Sequence, residues 1–261
     1  DEGHHSASAT STENFKQINP KIHILLTATP QRTDRMKLCF SKSIKDAGTR
    51  ALIDQGYLSP FHQYIFNNSW TPDSLATIYS KGRERWGKSV MYFLTEVECD
   101  ACAELLRKDG VRCEVVTGSS NQEEQIQSFN EGDTEVLLNM VVLTEGFDST
   151  IMKTVFVRPG SKAPTIQMAG RVLRRHHDLS VKPYAQIVQN MATHWPFLKI
   201  ASSEKKFVSS NCVDWENRET NEKVNQASRD AIKAIAQINV ELPKYLKKFR
   251  KKQYYLQNQE S

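Results

Sequence analysis

The sequence predicts an α/β fold, in which a mainly parallel sheet is covered by helices on both faces. Short apolar runs typical of buried strands alternate with amphipathic stretches typical of helices from about residue 59 to residue 200. The chain has 261 residues, of which 39% are hydrophobic and 25% are charged, so it can bury a large core. No apolar run reaches the roughly 18 residues that a membrane-spanning helix needs, and we therefore expect no membrane association.

The alternation can be followed element by element. The predicted strands are, in order, KSVMYFL, RCEVVTG, EVLLNMVVL, TVFVRP and YAQIVQN. The predicted helices are PDSLATIYSK, EVECDACAELLRKDG, NQEEQIQSFNEG and APTIQMAGRVLRR. Because each strand is apolar throughout and helices separate the strands, a sheet buried on both faces is the arrangement that these runs favour.

The ends of the chain differ from this central unit. Near the start, KIHILLTATP is predicted to be a buried strand that ends in a loop, and DAGTRALIDQGYLSPF a helix stopped by Gly56 and followed by a connector. The predicted organisation has four parts. Residues 1–45 are the closing part of a similar unit, and residues 46–58 are a connector. Residues 59–200 form a complete α/β unit, and residues 201–261 a polar, helical tail.

The net charge of +5 is concentrated at the end of the chain. Residues 201–261 contain 12 Lys/Arg and 8 Asp/Glu, and KYLKKFRKK (Lys244–Lys252) places six basic residues among nine. Such a stretch suits a polyanion such as nucleic acid, through Lys247, Lys248 and Arg250, although a solvated amphipathic helix end has the same pattern. Trp195, Phe197 and Phe207 could stack on bases or pack against the core.

The cysteines indicate a reducing compartment. Their number, five, is odd and their spacing is irregular, which favours an intracellular protein over a disulfide scaffold; the compartment would be the cytoplasm or the nucleoid, or the host cytoplasm if the protein is viral. Cys99 and Cys102 form a CxxC pair inside a predicted helix, where residues three apart are neighbours by geometry alone. A redox or metal role for the pair has little support, because no second pair of ligands accompanies it.

GRERWGKS (Gly82–Ser89) matches the phosphate-loop pattern of Gly, four residues and Gly-Lys-Ser. That loop binds phosphate when a strand precedes it and a helix follows, because the amides and the helix N-terminus then converge. In this sequence the predicted helix comes first and the strand second, and bulky residues fill the loop. A polar turn is therefore the better interpretation, and a stand-alone nucleotidase built on the loop is the weakest of the functional hypotheses.

Two further stretches carry candidate chemistry. LTEGFD (Leu143–Asp148) follows a predicted buried strand, and QMAGRVLRR (Gln167–Arg175) belongs to a predicted helix. On a helix, Arg171 and Arg174 would share one face, with Gln167 one turn before Arg171. Planar guanidinium groups arranged in this way suit a polyphosphate, although a surface helix with a few arginines is the default for an isolated motif.

The order of these stretches resembles a known family. DEGHH, LLTATPQRTDR, LTEGFD and QMAGRVLRR are similar to motifs II, III, V and VI of superfamily 2 helicases. The variant resembles the DExH group, which includes type I restriction motor subunits and phage and repair helicases, over roughly residues 1–195. The resemblance implies a complete second RecA-like domain at residues 59–200, preceded by the end of a first RecA-like domain.

The resemblance also implies an ATP site between two RecA-like domains. Asp1 would hold Mg²⁺, Glu2 would orient and deprotonate the attacking water, and His4 would link this site to the second domain. A zinc site at His4 and His5 is not favoured, because further ligands are lacking at usable spacing. The remaining implied roles are γ-phosphate contact by Gln167, Arg171 and Arg174, coupling by Thr27, Ala28 and Thr29, a position at the site for Gly146, and ribose contact by Asp148.

Nucleic acid would lie across both domains, and the family likeness favours DNA over RNA. The implied contacts with its backbone are Thr95, Gly118 and Thr144. One departure concerns NQEEQ (Asn121–Gln125), where the family often carries an arginine, so a backbone contact is absent there.

The expected function is ATP-dependent nucleic-acid translocation or unwinding. The motif I lysine would precede Asp1, so we expect this chain alone to be inactive and its first RecA-like domain to be supplied in cis or in trans. The alternative is a non-catalytic nucleic-acid-binding module or a subunit completed by another chain.

Overall fold

The computed structural model describes residues 9–19, 21–22, 24, 26–27, 47–140, 142–144 and 147–218. These residues belong to one compact unit, Asp1–Glu219. The helices among them are α1 (Ala9–Ile18), α2 (Thr49–Asp54), α3 (Pro72–Lys81), α4 (Arg83–Trp86), α5 (Glu96–Lys108), α6 (Gln122–Glu131) and α7 (Lys162–Val172). The strands are β1 (Phe61–Phe66), β2 (Ser89–Tyr92), β3 (Cys113–Val116), β4 (Val136–Asn139), β5 (Thr154–Val157), β6 (Ala185–Asn190), β7 (Lys205–Ser209) and β8 (Glu216–Arg218).

The strands form one sheet in the order β3-β4-β2-β5-β6-β1-β7-β8. The pairs from β3 to β7 are parallel, and β8 pairs with β7 in the antiparallel direction. The predicted α/β class with a parallel sheet flanked by helices is therefore confirmed. Since all parallel strands point the same way, the loops after β2, β3 and β4 lie at one edge of the sheet.

Helices cover both faces of the sheet because its central strands are apolar on both sides. In β2, Val90 and Tyr92 pack into one cluster, together with Val172 of α7. Met91 points to the opposite face and packs into a second cluster, which includes Leu106 of α5. This alternation makes the strand an apolar run rather than an alternating pattern, which is the sequence signal of a sheet buried on both sides.

Local capping fixes where the helices begin and end. Thr71 caps α3, whose first residue is proline, and Asn121 caps α6 through a bond from the amide of Glu124. At the end of α2, Gly56 has a φ of +79°. This left-handed backbone favours glycine, and a Cβ atom at the position would in addition displace the guanidinium of Arg175.

The described part of the first segment departs from the prediction. Ile22, Ile24 and Leu26 are 79, 78 and 64% exposed, and no strand is assigned to the described residues of KIHILLTATP. The buried-strand prediction is therefore wrong for these residues. An extended apolar run becomes a buried strand only where neighbouring strands satisfy its backbone groups, and none of the described strands pairs with this run.

The prediction of a helical tail beginning at residue 201 is also wrong for the described residues 201–218. They contain β7 and β8, which extend the sheet beyond β1. β7 pairs with β1 in parallel, and Phe207 of β7 stacks on Tyr64, its partner in the register, at 4.6 Å between ring centroids. Phe197 is also a core residue, because it is buried edge-on against Phe61 at 5.4 Å. None of the described helices is long and apolar enough to cross a membrane.

Candidate functional site

The first functional contact joins α7 to the stretch that follows β4. Arg171, in the last turn of α7, donates from Nη1 to the carbonyl oxygen of Phe147 at 3.3 Å. Phe147 is itself buried and packs edge-on against Phe129 of α6. Because the backbone at Phe147 is anchored in the core, the Arg171 guanidinium has a fixed point of attachment. Gln167 lies one turn earlier on α7 and is half-buried, so it shares the helix face of Arg171 as predicted.

Arg174 does not lie on that face. The helix ends at Val172 and Leu173 is its C-cap, so the prediction that Arg171 and Arg174 project from one face of a helix is wrong. Arg174 instead forms an isolated antiparallel bridge with Leu58 in the connector. Its guanidinium pairs with the carboxylate of Asp148, and the two side chains are 38 and 60% exposed. Both arginines therefore converge on Phe147–Asp148, although from different backbone conformations.

The ion pair of Arg174 is easily exchanged. Exposed pairs of this kind contribute about 0–1 kcal/mol to stability, because water screens them and ordering two side chains costs entropy. A more highly charged anion could therefore displace Asp148 from Arg174 at little cost. The arrangement can serve as a mobile cation (Arg174) beside an anchored one (Arg171), which suits binding a polyphosphate.

The backbone of Arg174 is held more firmly than its side chain. The amide of Ser59 donates to the carbonyl of Leu173 at 2.7 Å, and its hydroxyl donates to the carbonyl of Arg174 at 3.3 Å. Lys182 donates from Nζ to the carbonyls of Val172 and Arg174, both at 2.7 Å. Neither Lys182 nor Ser59 is identified by the sequence, because contacts between loops distant in the chain leave no local pattern.

The predicted nucleic-acid contacts lie at one edge of the sheet. Thr95 follows β2, Gly118 follows β3, and Thr144 ends a 3-10 turn (Val142–Thr144) after β4. Since these three strands are adjacent in the sheet, the three residues are brought to neighbouring positions.

Thr95 and Gly118 differ in what they can offer at this edge. Thr95 forms a capping box with Glu98: its hydroxyl accepts from the Glu98 amide at 3.3 Å, and its own amide donates to the Glu98 carboxylate at 3.0 Å. These polar groups are therefore already engaged in stabilising α5. At Gly118, a Cβ atom would meet nothing within 4 Å, so the backbone there is accessible.

Several predicted site residues lie outside the described part of the chain. They are Asp1, Glu2, His4, Ala28, Thr29, Gly146, Lys247, Lys248 and Arg250. Thr27 is described, lies outside any helix or strand and is half-buried. The predicted Mg²⁺ ligand, Asp1, belongs to the first group, and the described residues contain no cluster of three or more His, Cys, Asp or Glu that could hold a metal.

The Gly82–Ser89 loop is built as a structural turn. It follows α3, contains α4 and leads into β2, so its order of elements is helix, loop and strand. Trp86 is fully buried and donates to the carbonyl of Ile78 at 2.7 Å. Lys88 donates to the carbonyls of Phe129 and Thr134, both at 2.5 Å, and is thus directed into the protein. This geometry excludes the phosphate-loop interpretation of the motif.

Cys99 and Cys102 are buried in α5, and both thiols are free. Burial, with a smaller contribution from nearby acidic residues, raises the pKa of Cys99 to about 12, and burial also raises the pKa of Cys102. Thiols that remain protonated are poor nucleophiles and poor metal ligands, so Cys99 and Cys102 serve as buried packing residues of α5.

Part of the chain is similar to known proteins. Residues 71–176, which include Asp148, Arg171 and Arg174, match the family described as the helicase conserved C-terminal domain. A curated relative from Saccharomyces cerevisiae, named "Putative ATP-dependent helicase IRC3", is 31% identical over 134 residues. The match covers 49% of this chain and 19% of that protein.

Solved structures with a similar fold include the C-terminal domain of the DEAD-box protein Dbp5, at 19% identity and a TM-score of 0.41, covering 53% of this chain and 78% of that one. Another is the Escherichia coli DEAD-box protein SrmB, at 16% identity and a TM-score of 0.38, covering 51% of this chain and 76% of that one. Residues 71–176 therefore resemble a helicase C-terminal domain, and the family match and the curated relative support the predicted likeness to superfamily 2 helicases.

Proposed function

We propose that this chain is part of an ATP-dependent nucleic-acid helicase or translocase of the DExH type, which hydrolyses ATP between two RecA-like domains. The observation that carries the proposal is the convergence of Arg171 and Arg174 on Phe147–Asp148 within the helicase C-terminal domain. In this proposal the two arginines, with Gln167, face the γ-phosphate from the second domain.

The proposed chemistry assigns the two arginines different duties. Arg171, anchored on the Phe147 carbonyl, would contribute a fixed positive charge beside the nucleotide, while Asp148 would contact the ribose. Arg174 would leave Asp148 and bind the transferring phosphoryl group as an arginine finger. Groups in this role accelerate phosphoryl transfer by about 10³- to 10⁵-fold in related enzymes. Because Arg174 comes from the second domain, hydrolysis would require closure of the cleft between domains.

The first RecA-like domain would supply the rest of the site. Glu2 would orient the attacking water, and His4 would link this water site to the second domain. Asp1 would hold Mg²⁺, whose charge favours bound phosphate oxygens, and Thr27, Ala28 and Thr29 would couple hydrolysis to domain movement. A phosphate-binding loop would come from an upstream segment or from a partner chain, since Gly82–Ser89 is a structural turn.

Nucleic acid would bind along the sheet edge formed by Thr95, Gly118 and Thr144, with Lys247, Lys248 and Arg250 as further phosphate contacts. Opening and closing of the cleft would alternately tighten and loosen this contact, and directed movement would result. The family likeness favours DNA as the substrate. The odd number of cysteines favours a reducing compartment inside the cell for this activity.

The test is ATP turnover by the 261-residue chain, with and without single- and double-stranded DNA, alongside DNA binding at several salt concentrations. We expect no turnover and binding that weakens steeply with salt, because phosphate neutralisation releases counterions. Turnover should then appear when a chain carrying the first RecA-like domain is added or joined. Turnover by the 261 residues alone, or its continued absence in the joined form despite DNA binding, would overturn the proposal; the second result would favour a non-catalytic binding module.

A further inference from the structure

Lys182 occupies an unusual position for a lysine. It lies in the loop between α7 and β6 and is fully buried. Burial lowers the pKa of its ammonium group to about 7, and the negative charge of Asp148 opposes this shift. A lysine removed from water in this way destabilises the fold unless its donors are satisfied. The hydrogen bonds of the Lys182 ammonium group must therefore offset the cost of its burial.

What it binds is the end of α7. The last carbonyls of a helix have no partner within the helix, and they carry the negative end of the helix dipole. Lys182 donates to one of these, that of Val172, and to the carbonyl of Arg174 just beyond the helix, both at 2.7 Å. Ser59 engages the carbonyl between them, that of Leu173, through its amide and that of Arg174 through its hydroxyl. Three consecutive carbonyls are thus fixed from two sides.

The connector takes part in the same arrangement. Leu58 forms its antiparallel bridge with Arg174, and Arg175 donates to the carbonyl of Gly56 at 2.6 Å. The backbone on both sides of Arg174 is therefore held, whereas its guanidinium forms an exposed pair with Asp148 as its one ion pair within the described part of the chain. A fixed backbone with an exchangeable side chain is the arrangement that a group needs if it must reach a phosphate reproducibly.

We propose that Lys182, together with Ser59, is a positioning residue that holds the backbone of Arg174 in the orientation from which its guanidinium reaches the nucleotide. This inference rests on the proposed function. Lys182 does not contact the nucleotide in this proposal, and it acts only through Arg174. A displacement of about 1 Å in a catalytic group can reduce a rate about 10²-fold, so loosening these carbonyls should affect turnover strongly.

The experiment compares two lysines in a protein that carries both RecA-like domains. Lys182→Met removes the ammonium group but retains a long side chain. Lys88→Met is the matched control, because Lys88 also donates to two backbone carbonyls, those of Phe129 and Thr134, and neither belongs to residues 172–174. We expect Lys182→Met to lower kcat for DNA-stimulated ATP hydrolysis at least about tenfold, with a change in the KM for ATP of less than about twofold. Lys88→Met should lower the melting temperature but leave kcat within about twofold.

Coupling to Arg174 is measured in a second background. Arg174→Lys should be slow but measurable, and adding Lys182→Met to it should lower kcat by less than about twofold, since the misplaced group is already impaired. Lys182→Arg should restore most of the turnover. If Lys182→Met does not fold, Ser59→Ala replaces it, with an expected several-fold fall in kcat that also disappears in the Arg174→Lys background.

The outcomes separate the two proposals. If Arg174→Ala abolishes turnover but Lys182→Met or Ser59→Ala turns over at the wild-type rate, the positioning role is wrong and the arginine finger stands. If Lys182→Met is equally damaging with and without Arg174→Lys, its effect does not pass through Arg174 and the inference is overturned. If Arg174→Ala itself retains full turnover, the proposed function of Arg174 fails first.

Discussion

The Gly82–Ser89 loop and the end of α7 both place a lysine and an arginine close to a helix end, but they use these cations differently. In the loop, Arg83 donates to both carboxylate oxygens of Glu135, at 2.7 and 2.6 Å. Glu135 is only 16% exposed and also accepts from Arg112 at 3.0 Å. At the end of α7, Arg174 pairs with Asp148, which is 60% exposed. The two arginines are similarly exposed, at 42 and 38%, so the difference lies in their partners: Glu135 is largely buried and bound by two arginines, whereas Asp148 is exposed.

The difference indicates that a match to a sequence motif does not decide whether the basic side chains of that motif are available to bind phosphate. The hydrogen bond from Arg83, followed by that from Arg112, holds the pKa of Glu135 below its usual range. The lowered pKa shows that the folded protein stabilises the ionised form of Glu135, which is the form that binds Arg83 and Arg112. Arg83 matches a phosphate-loop pattern but is bound to a largely buried carboxylate, whereas Arg174 lies in a weaker motif and pairs with an exposed one, so we expect Arg174 to exchange its partner more readily. Four predictions test this comparison.

The largest expected effect concerns the two arginines directly. In a protein with both RecA-like domains, Arg174→Ala should lower kcat for ATP hydrolysis by about 10³-fold or more, because an arginine finger contributes that much to phosphoryl transfer. Arg83→Ala, the matched control, should leave kcat within about twofold. The measurement is steady-state turnover with saturating DNA. Near-normal turnover by Arg174→Ala, or equal losses in both variants, would erase the distinction between the two regions.

The second prediction tests the loop as part of the core. Trp86→Ala should lower the free energy of unfolding by about 3–5 kcal/mol, because it leaves a large cavity and removes the bond to Ile78. Trp195 is half-buried and contacts the ammonium groups of Lys162 and Lys199, so Trp195→Ala should cost only about 1 kcal/mol. Urea unfolding of the 261-residue chain, followed by circular dichroism, measures both. A loss at Trp86 no larger than that at Trp195 would mean that the loop is not structural.

The third prediction uses pH. Since the pKa of Glu135 is lower in the folded chain than the ordinary 4.5, the unfolded chain takes up the proton first as pH falls. The stability that Glu135 contributes is therefore fully present above about pH 4.5 and is lost as pH falls through its folded pKa. Glu135→Gln should be less stable than the wild type by about 1 kcal/mol at pH 7.

The pH dependence of this difference is the decisive part of the third prediction. The gap between the wild type and Glu135→Gln should narrow progressively in urea titrations below pH 4.5. Asp148→Asn provides the control, because its exposed pair should produce a much smaller gap at every pH. A Glu135→Gln gap that does not change with pH would indicate that the carboxylate charge is not what holds Arg83.

Much of the fold could be predicted because its signal is local. Each central strand is apolar on both faces, as Val90, Met91 and Tyr92 illustrate, so the strands stood out as short apolar runs between helices. β7 could not be found in this way, because its first residues are lysines. It pairs with β1, where Phe207 lies opposite Tyr64, and these two residues are far apart in the sequence.

The same distinction between local and long-range signals applies to the candidate site. The sequence predicted that Arg171 and Gln167 share a helix face, because this depends only on helical spacing, and α7 contains both residues. The place of Asp148 at the candidate site came from the resemblance to a known family and stays a prediction. The helical spacing predicted the wrong backbone for Arg174, because α7 ends at Val172, where Lys182 and Ser59 bind the carbonyls of residues 172–174. Such long-range contacts have no counterpart in the periodicity from which a helix is predicted.

The smallest expected effect follows from the exposure of the Asp148–Arg174 pair. Asp148→Asn should change the free energy of unfolding by no more than about 0.5 kcal/mol, and the change should shrink further at high salt. Arg83→Ala should cost more, because it leaves a partly buried carboxylate with one cation fewer. Urea unfolding at low and high salt compares the two variants. If Asp148→Asn proved the more destabilising, Arg174 would be locked to its partner, and a nucleotide would have to overcome that bond before Arg174 could reach a phosphate.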